Sequence, residues 1–268
     1  MSETLLDVAV DAARAAADLV RDYTRDKVTV VATKSTDVDV VTEADRSAER
    51  LIRERIAAAR PDDAFMGEEG DDVPGTTGVR WVIDPIDGTV NFLYGLPQYA
   101  VSIAAEVEGE VVAGVVLNIA TGVEFTAYVD DEGVIRSRRD GEPIRVRANV
   151  PLAQRLVSTG FGYDARLREL QARALVNLVT RIRDIRRLGS CALDLCQVAA
   201  GTLDGYFEEG VNLWDHAAGA LVAQGAGATV EVTTGVGGER FVLCAPADGF
   251  ADLRHAVADA GYLAQARE

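Results

Sequence analysis

The stretch WVIDPIDGTVNF, residues 81–92, constrains the fold more than any other part of the sequence. Its apolar start is interpreted as a buried strand, and this strand ends in two aspartates, Asp84 and Asp87, on either side of Pro85. At the exit of a strand, side chains converge in a crevice at the edge of a sheet. The chain therefore places two negative charges close together at the end of a core strand.

This aspartate pair points to a bound divalent cation. Two neighbouring carboxylates repel, and one of them takes up a proton unless a cation neutralises both. Gly88 lets the backbone approach a ligand closely, and a helix that begins at Thr89 would offer free N–H groups to a phosphate. Oxygen ligands without histidine or thiolate favour Mg²⁺ or Mn²⁺ over zinc. Two such ions can clamp a phosphate and ionise a water for in-line attack.

A metal cluster needs more carboxylates than two, and the sequence offers them at two other places. GEEG supplies Glu68 and Glu69 at the end of another predicted strand, and WDHAAG supplies Asp215 at the start of a predicted helix. Aspartate and glutamate at such positions are also common as helix caps and solvated turn residues. Each stretch taken alone is therefore open to a structural or a metal-binding interpretation.

The charge balance limits the classes of partner. Lys and Arg total 27 against 43 Asp and Glu, which gives a formal net charge of −16. Such a surface repels phosphate backbones and anionic lipids, so we expect no direct nucleic-acid contact and no membrane contact. The sequence also has no apolar run of the roughly 20 residues that cross a bilayer. It begins Met1-Ser2-Glu3, with an acidic residue where a signal peptide would have basic ones, so we expect no signal peptide.

Cysteine and histidine usage narrows the chemistry further. The three cysteines, Cys191, Cys196 and Cys244, have no CxxC spacing, which favours a reducing compartment and buried apolar thiols. We therefore expect a cytoplasmic protein. The two histidines in the chain nearly exclude an imidazole-rich zinc site.

Helical and strand patterns alternate along the chain. Helices are predicted over residues 3–23, 43–60, 165–183, 190–200, 215–226 and 251–260, the second of them capped by Thr42 and Asp45. Strands are predicted over residues 28–33, 64–70, 79–84, 155–161, 203–208, 228–233 and 240–246, with an antiparallel meander over 99–128 and a further candidate at 142–148. The mixture in both halves indicates two αβ lobes, residues 1–148 with most carboxylates and 149–268 with Asp215.

Taken together, three stretches resemble the inositol monophosphatase family, within the superfamily of lithium-sensitive, magnesium-dependent phosphatases: GEEG, WVIDPIDGTVNF and WDHAAGALVAQGAG. VATKSTDVDVVTEADRSAE and RRLGSCALDLCQVAAGTLDGYFEEGVNLWD extend the likeness, which runs from the first helix to about Ala245. The resemblance implies an α+β fold, a layered αβαβα sandwich of the sugar-phosphatase type with the active site between two lobes. It also implies a cytoplasmic homodimer that lithium inhibits.

The resemblance implies a metal site with two to three Mg²⁺ ions, for which Mn²⁺ would substitute. The first ion would be held by Glu68, Asp84 and the carbonyl of Ile86. The second would be held by Asp84, Asp87 and Asp215, and a third, weaker site would depend on Glu68. All of these residues are present in the sequence.

Roles in catalysis and substrate binding are carried over in the same way. Thr89 would orient the nucleophilic water and Asp45 would accept the hydrogen bond of that threonine, so the catalytic set is Glu68, Thr89 and Asp45. Lys34 would lie on a mobile loop near the metals, or it is an ordinary solvated lysine. The implied substrate contacts are Asp87, Gly88, Thr89, Gly189, Ser190, Glu208 and Asp215.

Some positions depart from the family pattern or give no assignment. Cys191 stands where many relatives have alanine, and residues 158–167 fall in a segment that varies between relatives and partly sets selectivity. His216 next to Asp215 is not expected to act in catalysis, because no GxSxG-type serine accompanies it. The basic run at residues 181–189 could bind an anion or a partner, but it is interpreted as a helix end that is solvated or lies at a dimer rim.

The leading hypothesis is a Mg²⁺-dependent phosphomonoesterase that hydrolyses inositol 1-phosphate and related polyol phosphates to the free alcohol and phosphate. Alternative substrates within the superfamily are fructose 1,6-bisphosphate, histidinol phosphate and 3′-phosphoadenosine 5′-phosphate. A different class stays open, because some bacterial members of the family bind the transcription and RNA-processing machinery. In that case catalysis would be incidental to a protein-binding role.

Overall fold

The computed structural model describes residues 1–25, 30–33 and 40–264. The described helices are α1 Ser2–Arg25, α2 Glu43–Ala59, α3 Thr89–Tyr94, α4 Ala165–Leu178, α5 Cys191–Ala199, α6 Leu213–Gly225 and α7 Phe250–Ala260, with a short 3₁₀ turn at Leu152–Gln154. The described strands are β1 Val30–Thr33, β2 Val40–Thr42, β3 Ala64–Gly67, β4 Val79–Asp87, β5 Ala100–Val107, β6 Glu110–Asn118, β7 Glu124–Val129, β8 Ile135–Arg139, β9 Glu142–Pro143, β10 Leu156–Thr159, β11 Asp184–Arg186, β12 Gly205–Glu209, β13 Ala228–Thr234 and β14 Arg240–Pro246.

The larger sheet has seven strands in the order β3-β4-β5-β6-β7-β8-β9. β3 and β4 are parallel, and every later neighbour in this sheet is antiparallel. The antiparallel meander predicted for residues 99–128 is therefore confirmed, as β5, β6 and β7. Because β3 and β4 run parallel, their carboxyl ends lie at the same edge of the sheet.

The smaller sheet has five strands in the order β11-β10-β12-β14-β13. β10 is parallel to both β11 and β12, whereas β14 is antiparallel to β12 and β13. A separate antiparallel pair is formed by β1 and β2. The parallel pairing of β10 with β12 places the residues that follow β10 beside the end of β12.

The helices and sheets stack in five layers. Alternate residues of β4 face opposite ways: Trp81 and Ile83 pack with α1 and α2, whereas Val82 packs with α5 and α6. The second core also takes up one face of the smaller sheet, and the other face of that sheet packs with α4 and α7. The predicted layered αβαβα sandwich is thereby confirmed.

Local sequence explains where α2 begins and what α1 buries. Thr42 caps α2 in the predicted capping box: its hydroxyl accepts from the Asp45 N–H at 3.2 Å, and the Asp45 carboxylate accepts from the Thr42 N–H at 2.9 Å. α1 buries an alanine-rich stripe that includes Ala9, Ala13 and Ala16. Small side chains at this spacing let α1 lie close to the sheet.

Four predicted elements differ from the structure. The strand predicted to end at residue 84 continues to Asp87 through an irregular register, so Pro85 lies within β4. The helix predicted to reach residue 183 ends at Leu178, and part of the basic run after it forms strand β11 instead of a helix end. The strand predicted at 142–148 is reduced to Glu142–Pro143, while β8 was not predicted.

Two further findings concern membrane-spanning helices and the cysteines. No helix among the described residues is long and apolar enough to cross a membrane. Cys191, Cys196 and Cys244 are buried free thiols, as predicted. Cys196 and Cys244 lie in the central core, whereas Cys191 also lines the cavity described next.

Candidate active site

A cavity of about 740 Å³ lies at the carboxyl end of β4, between the starts of α3 and α6 and the end of β12. This volume falls within the range of about 300–1,000 Å³ that is usual for small-molecule sites. Nine of the residues singled out from the sequence line it together: Glu68, Asp84, Ile86, Asp87, Gly88, Thr89, Gly189, Glu208 and Asp215. These residues are up to 147 positions apart in the sequence, and the fold brings them together around one cavity.

Asp84 lies at the deepest part of this carboxylate group and is 1% exposed. One of its oxygens, Oδ1, accepts a hydrogen bond from the Ile86 N–H at 3.0 Å, which turns the backbone at the strand exit. Glu68 lies close enough for its negative charge to act on Asp84. Two neighbouring buried carboxylates favour a proton or a cation bound between them.

Asp87 connects the end of β4 to the start of α5. Its Oδ2 atom accepts from the Ser190 hydroxyl at 2.6 Å and from the Ala192 N–H at 2.7 Å. Ser190 is also the N-cap of α5, since its hydroxyl accepts from the Leu193 N–H at 3.3 Å. Asp87 Oδ2 is therefore fixed by the N-terminus of α5, and the residue also lines the cavity.

Asp215 reaches the cavity from the first turn of α6. Its Oδ2 atom accepts from the Asn212 N–H at 2.6 Å in the capping box that begins this helix. The carbonyl of Trp214 accepts from the Ser102 hydroxyl at 3.2 Å, which ties the start of α6 to β5. These bonds hold Asp215 opposite the end of β4.

Burial and mutual repulsion act on the carboxyl groups together. Burial, followed by repulsion from Glu68, raises the pKa of Asp84 and of Asp215 well above the usual range. Burial also raises the pKa of Asp87 to about 6, although hydrogen bonds from Ser190 and the start of α5 act in the opposite direction. The cause in each case is negative charge that is removed from water and left near other negative charge.

The donor set is suited to a hard divalent cation. It consists of carboxylate and carbonyl oxygens, which are the ligands of Mg²⁺ and Mn²⁺. The described arginines that line the cavity are Arg166 and Arg187. Across residues 1–25, 30–33 and 40–264, no three acidic, thiol or imidazole groups are yet gathered tightly enough to hold an ion. A bound cation would therefore neutralise these carboxylates and draw their oxygens closer together.

Thr89 connects the cavity to α2. Its hydroxyl donates to Asp45 Oδ1 at 3.1 Å and lies 3.1 Å from the carbonyl oxygen of Ile86. The other oxygen of Asp45 accepts from the backbone and the hydroxyl of Thr42. Asp45 is fully buried behind Thr89 and does not line the cavity itself. The predicted threonine–aspartate pair is thus a hydrogen-bonded pair in the structure.

The turn before α3 requires glycine at residue 88. Gly88 has φ = +96°, in the left-handed region that side chains disfavour. An added Cβ would lie 2.9 Å from the carbonyl oxygen of Gln98 and 3.0 Å from that of Gly189. Asn91 closes the same contact, because its Nδ2 donates to the carbonyls of Gln98 and Leu188 at 2.7 and 2.8 Å. The start of α3 is therefore held against the segment that leads into α5.

Glu208 forms the wall opposite the aspartates, on β12. Its Oε2 atom accepts a hydrogen bond from the Tyr206 hydroxyl at 2.9 Å. Tyr206 was not singled out from the sequence, although the alternation of a strand puts residues 206 and 208 on the same face. That spacing is the sequence signal that would have identified it.

The remaining predicted residues lie behind the cavity or outside the described chain. Ser190 does not line the cavity but acts on it through Asp87. Lys34 lies outside the described residues. His216 points away from the cavity lining, and burial lowers the pKa of its imidazole to about 4. That His216 takes no part in catalysis stays a prediction.

Comparison with known proteins identifies what this arrangement is similar to. The profile described as the inositol monophosphatase family matches residues 1–267. A Mycobacterium tuberculosis protein named Inositol-1-monophosphatase SuhB is 48% identical over 228 residues, which cover 83% of this chain and 79% of that protein. A Pasteurella multocida protein named Nus factor SuhB is 41% identical over 229 residues, which cover 84% of both. The solved structure of Mycobacterium tuberculosis SuhB superposes with a TM-score of 0.81 at 40% identity, over 98% of this chain and 99% of that one.

Proposed function

The chain belongs to the inositol monophosphatase family, and we propose from this premise that it is a Mg²⁺-dependent phosphatase that hydrolyses inositol 1-phosphate and related polyol phosphates. The products would be the free alcohol and inorganic phosphate. One observation carries the proposal: Asp84 and Asp87 at the end of β4 and Asp215 at the start of α6 line one cavity, where their charges repel and call for a counter-ion. A protein does not keep such a cluster for stability, because unpaired buried charge is costly.

Glu68, Asp84, Asp87, Asp215 and the carbonyl of Ile86 would hold two to three metal ions. Bound there, the ions would neutralise the carboxylates, polarise the phosphate and lower the pKa of an attacking water. Asp87 is prepared for this role, because Ser190 and Ala192 fix one of its oxygens and the residue lines the cavity. This pre-set orientation lowers the cost of arranging Asp87 around an ion, and the other carboxylates would move closer when the ion binds.

Thr89 and Asp45 would orient the attacking water. Because Asp45 Oδ1 accepts the proton of the Thr89 hydroxyl, the hydroxyl oxygen is free to accept a hydrogen bond from water. Asp45 is itself fixed by Thr42, so the direction of this hydrogen bond is determined by the start of α2. The role of this pair would therefore be to hold the attacking water by a hydrogen bond from the water to Thr89 Oγ1.

The phosphate and the alcohol of the substrate would contact different walls of the cavity. The N–H groups of Gly88 and Thr89, at the start of α3, would donate to phosphate oxygens. Glu208 would accept hydrogen bonds from polyol hydroxyls, beside Gly189 and Ser190. The close contact between Gly88 and Gly189 supports this arrangement, because it holds the two walls at a fixed separation.

A substrate panel tests the proposal. Phosphate release is measured with inositol 1-phosphate, fructose 1,6-bisphosphate, histidinol phosphate and 3′-phosphoadenosine 5′-phosphate, with Mg²⁺ and after its removal by a chelator. We expect the highest kcat/KM for inositol 1-phosphate and no turnover without the metal. Asp215→Asn should abolish turnover, whereas the exposed Asp248→Asn should behave as the wild type. Near-full activity of the Asp215 variant, or activity without a divalent ion, would contradict the proposal.

A role in transcription or RNA processing is the second candidate function. It is supported by the name Nus factor SuhB of the Pasteurella multocida relative. Direct RNA contact is disfavoured by the net charge of −16, so this role would operate through protein contacts. If Asp215→Asn abolishes hydrolysis but a strain that carries it still shows normal RNA processing, the second function is independent of the first.

We propose a homodimer as the assembly, as the family resemblance implies. The end of α3 and the loop after it support a contact surface in this region, because the apolar side chains of Tyr94 and Leu96 are 80% and 54% exposed. Sedimentation at twice the 28.5 kDa mass of the chain would support the dimer, and sedimentation at that mass alone would contradict it.

A further inference from the structure

Glu208 has an environment that fixes its carboxylate in one orientation. It is partly buried at the end of β12, and its position on the cavity wall is shared with Gly189 and Cys191. A carboxylate on an open wall samples several rotamers, and it then selects weakly among the alcohols that it meets. What holds Glu208 therefore bears directly on which substrates the site would accept.

Tyr206 holds one oxygen of this carboxylate. Its hydroxyl donates to Glu208 Oε2 at 2.9 Å, and the tyrosine is 0% exposed, so its ring cannot move away. Cys191 and Tyr206 are both buried in the central core of the molecule. With Oε2 occupied in this way, Oε1 is the atom of Glu208 left to accept hydrogen bonds from a substrate.

Gly160 provides the space for the same carboxylate. It follows β10, which is parallel to β12 with Thr159 opposite Phe207. A Cβ added at Gly160 would lie 1.9 Å from Cδ and Oε1 of Glu208 and 2.1 Å from Oε2. Any side chain at residue 160 would therefore displace the carboxylate from its present position.

Arg187 adds positive charge on the cavity side of Glu208. Burial raises the pKa of Glu208, but the nearby Arg187 guanidinium and the Tyr206 hydroxyl act in the opposite direction. Both interactions favour the ionised carboxylate over the acid. An ionised group accepts hydrogen bonds and does not donate them, so it is matched to O–H donors on a substrate.

We propose that Tyr206 and Gly160 are positioning residues that select, through Glu208, substrates with hydroxyl groups on the alcohol next to the phosphate ester. This inference rests on the proposed phosphatase function. It assigns recognition of the alcohol part of the substrate to the cavity wall that contains Glu208. Neither residue lines the cavity, so each would act on the substrate only through Glu208. Their loss would therefore weaken the binding of hydroxyl-bearing alcohols and leave other phosphate esters largely unaffected.

The test compares two phosphate esters. Inositol 1-phosphate has free hydroxyl groups on its alcohol part, whereas phenyl phosphate has none. Tyr206→Phe should raise the KM for inositol 1-phosphate about tenfold, the loss expected when a hydrogen bond to a charged group is removed. The KM for phenyl phosphate should change less than about twofold, because this ester makes no hydrogen bond to Glu208. Gly160→Ala should show the same difference between the two esters.

Two further variants separate positioning from a general effect on folding. Tyr262→Phe is a matched control, because Tyr262 is 1% exposed, lies in the core beside α7 and has a hydroxyl without a hydrogen-bond partner. It should leave both KM values unchanged. The double variant Tyr206→Phe with Glu208→Gln should be no worse on inositol 1-phosphate than Glu208→Gln alone, since both act on one interaction.

The outcomes separate this inference from the proposed function. An equal loss on both esters with Tyr206→Phe, additive losses in the double variant, or no change on inositol 1-phosphate would overturn the inference while the phosphatase function stands. If the wild-type chain hydrolyses neither ester, the proposed function is wrong and the inference falls with it. If Gly160→Ala does not fold, the comparison of the Tyr206 and Glu208 variants still decides the question.

Discussion

Asp87 illustrates how single residues in this protein serve both fold and site. Burial raises its pKa to about 6, yet Ser190 and the first N–H groups of α5 stabilise its anion. The same contacts join the end of β4 to α5, so a structural link between two layers also orients a proposed metal ligand. The carboxylate could be predicted from the sequence, but its partner could not, because 103 residues separate Asp87 from Ser190.

Asp63 is a buried carboxylate outside the site and allows a test of stability against pH. Its side chain accepts from Arg60 Nε at 2.8 Å, from Trp81 Nε1 at 2.9 Å and from the Thr77 hydroxyl at 2.5 Å. Burial pushes its pKa upward, but these hydrogen bonds together hold the pKa below the usual 3.8. Asp63→Asn should therefore reduce the free energy of unfolding by about 3 kcal/mol at pH 7.

The sign of the pH dependence follows from the lowered pKa. Since the folded protein binds this proton less readily than the unfolded chain, the stabilisation is complete above the usual pKa of 3.8 and is lost as pH falls through the folded value. Urea unfolding of wild type and Asp63→Asn should show a constant difference from pH 7 to about 5 and a smaller one below about 4. The exposed Asp62→Asn is the control and should lie within about 0.5 kcal/mol of wild type. A difference that grows in acid would contradict this account.

At the scale of elements, long periodic segments could be predicted and short edge elements could not. β8 shows why: Ser137 points inward and is buried, while its neighbours Arg136 and Arg138 point outward. The resulting sequence is charged enough to be mistaken for a loop, although such charges are typical of exposed strands near a sheet edge. The charged sequence of β11 likewise predicts a helix end. The strand forms because it pairs with β10, which lies 28 residues earlier in the chain and leaves no local signal.

The packing of α6 on the larger sheet gives the second structural prediction. Gly114 on β6 faces Ala218 on α6, and an added Cβ would lie 3.0 Å from Ala218 Cα and 3.1 Å from its Cβ. Because α6 carries Asp215, Gly114→Ala should shift that helix, lower stability by about 1–3 kcal/mol and reduce activity. Thermal unfolding and phosphate release measure the two effects.

A second-site change provides the control for this contact. Ala218→Gly removes the methyl group that an added Cβ at residue 114 would meet at 3.1 Å, and by itself it should cost about 1 kcal/mol through the lower helix propensity of glycine. The double variant should be more stable than the sum of the two single losses predicts, because both changes act on one contact. Strictly additive losses would mean that this contact does not set the position of α6.

At the scale of the whole molecule, the active-site cavity depends on the order of the layers. The seven-stranded sheet is built from residues 64–143 and the five-stranded sheet from residues 156–246, with α5 and α6 packed between them. This division supports the proposed lobes 1–148 and 149–268. The carboxylates of the first lobe and Asp215 of the second meet only because α6 packs against β4, β5 and β6.

The sequence motifs predict which kind of ligand the site offers, but they do not predict how the fold brings these ligands together. Carboxylates at the ends of predicted strands and at a helix start were enough to predict oxygen ligands for a hard cation. The distances between them depend on contacts such as Gly88 with Gly189 and Gly114 with Ala218, which join positions about 100 residues apart. Close approaches of this kind leave no local pattern, since glycine at either position is equally suited to a turn.

The most direct test of the central claim is anomalous X-ray diffraction from crystals grown with Mn²⁺ and inorganic phosphate. The account predicts at least two anomalous peaks among the carboxylates of Glu68, Asp84, Asp87 and Asp215, with the phosphate next to Gly88 and Thr89. In crystals of Asp84→Asn these peaks should be absent or strongly reduced. Wild-type crystals at saturating Mn²⁺ with no ion among these four side chains would contradict the account.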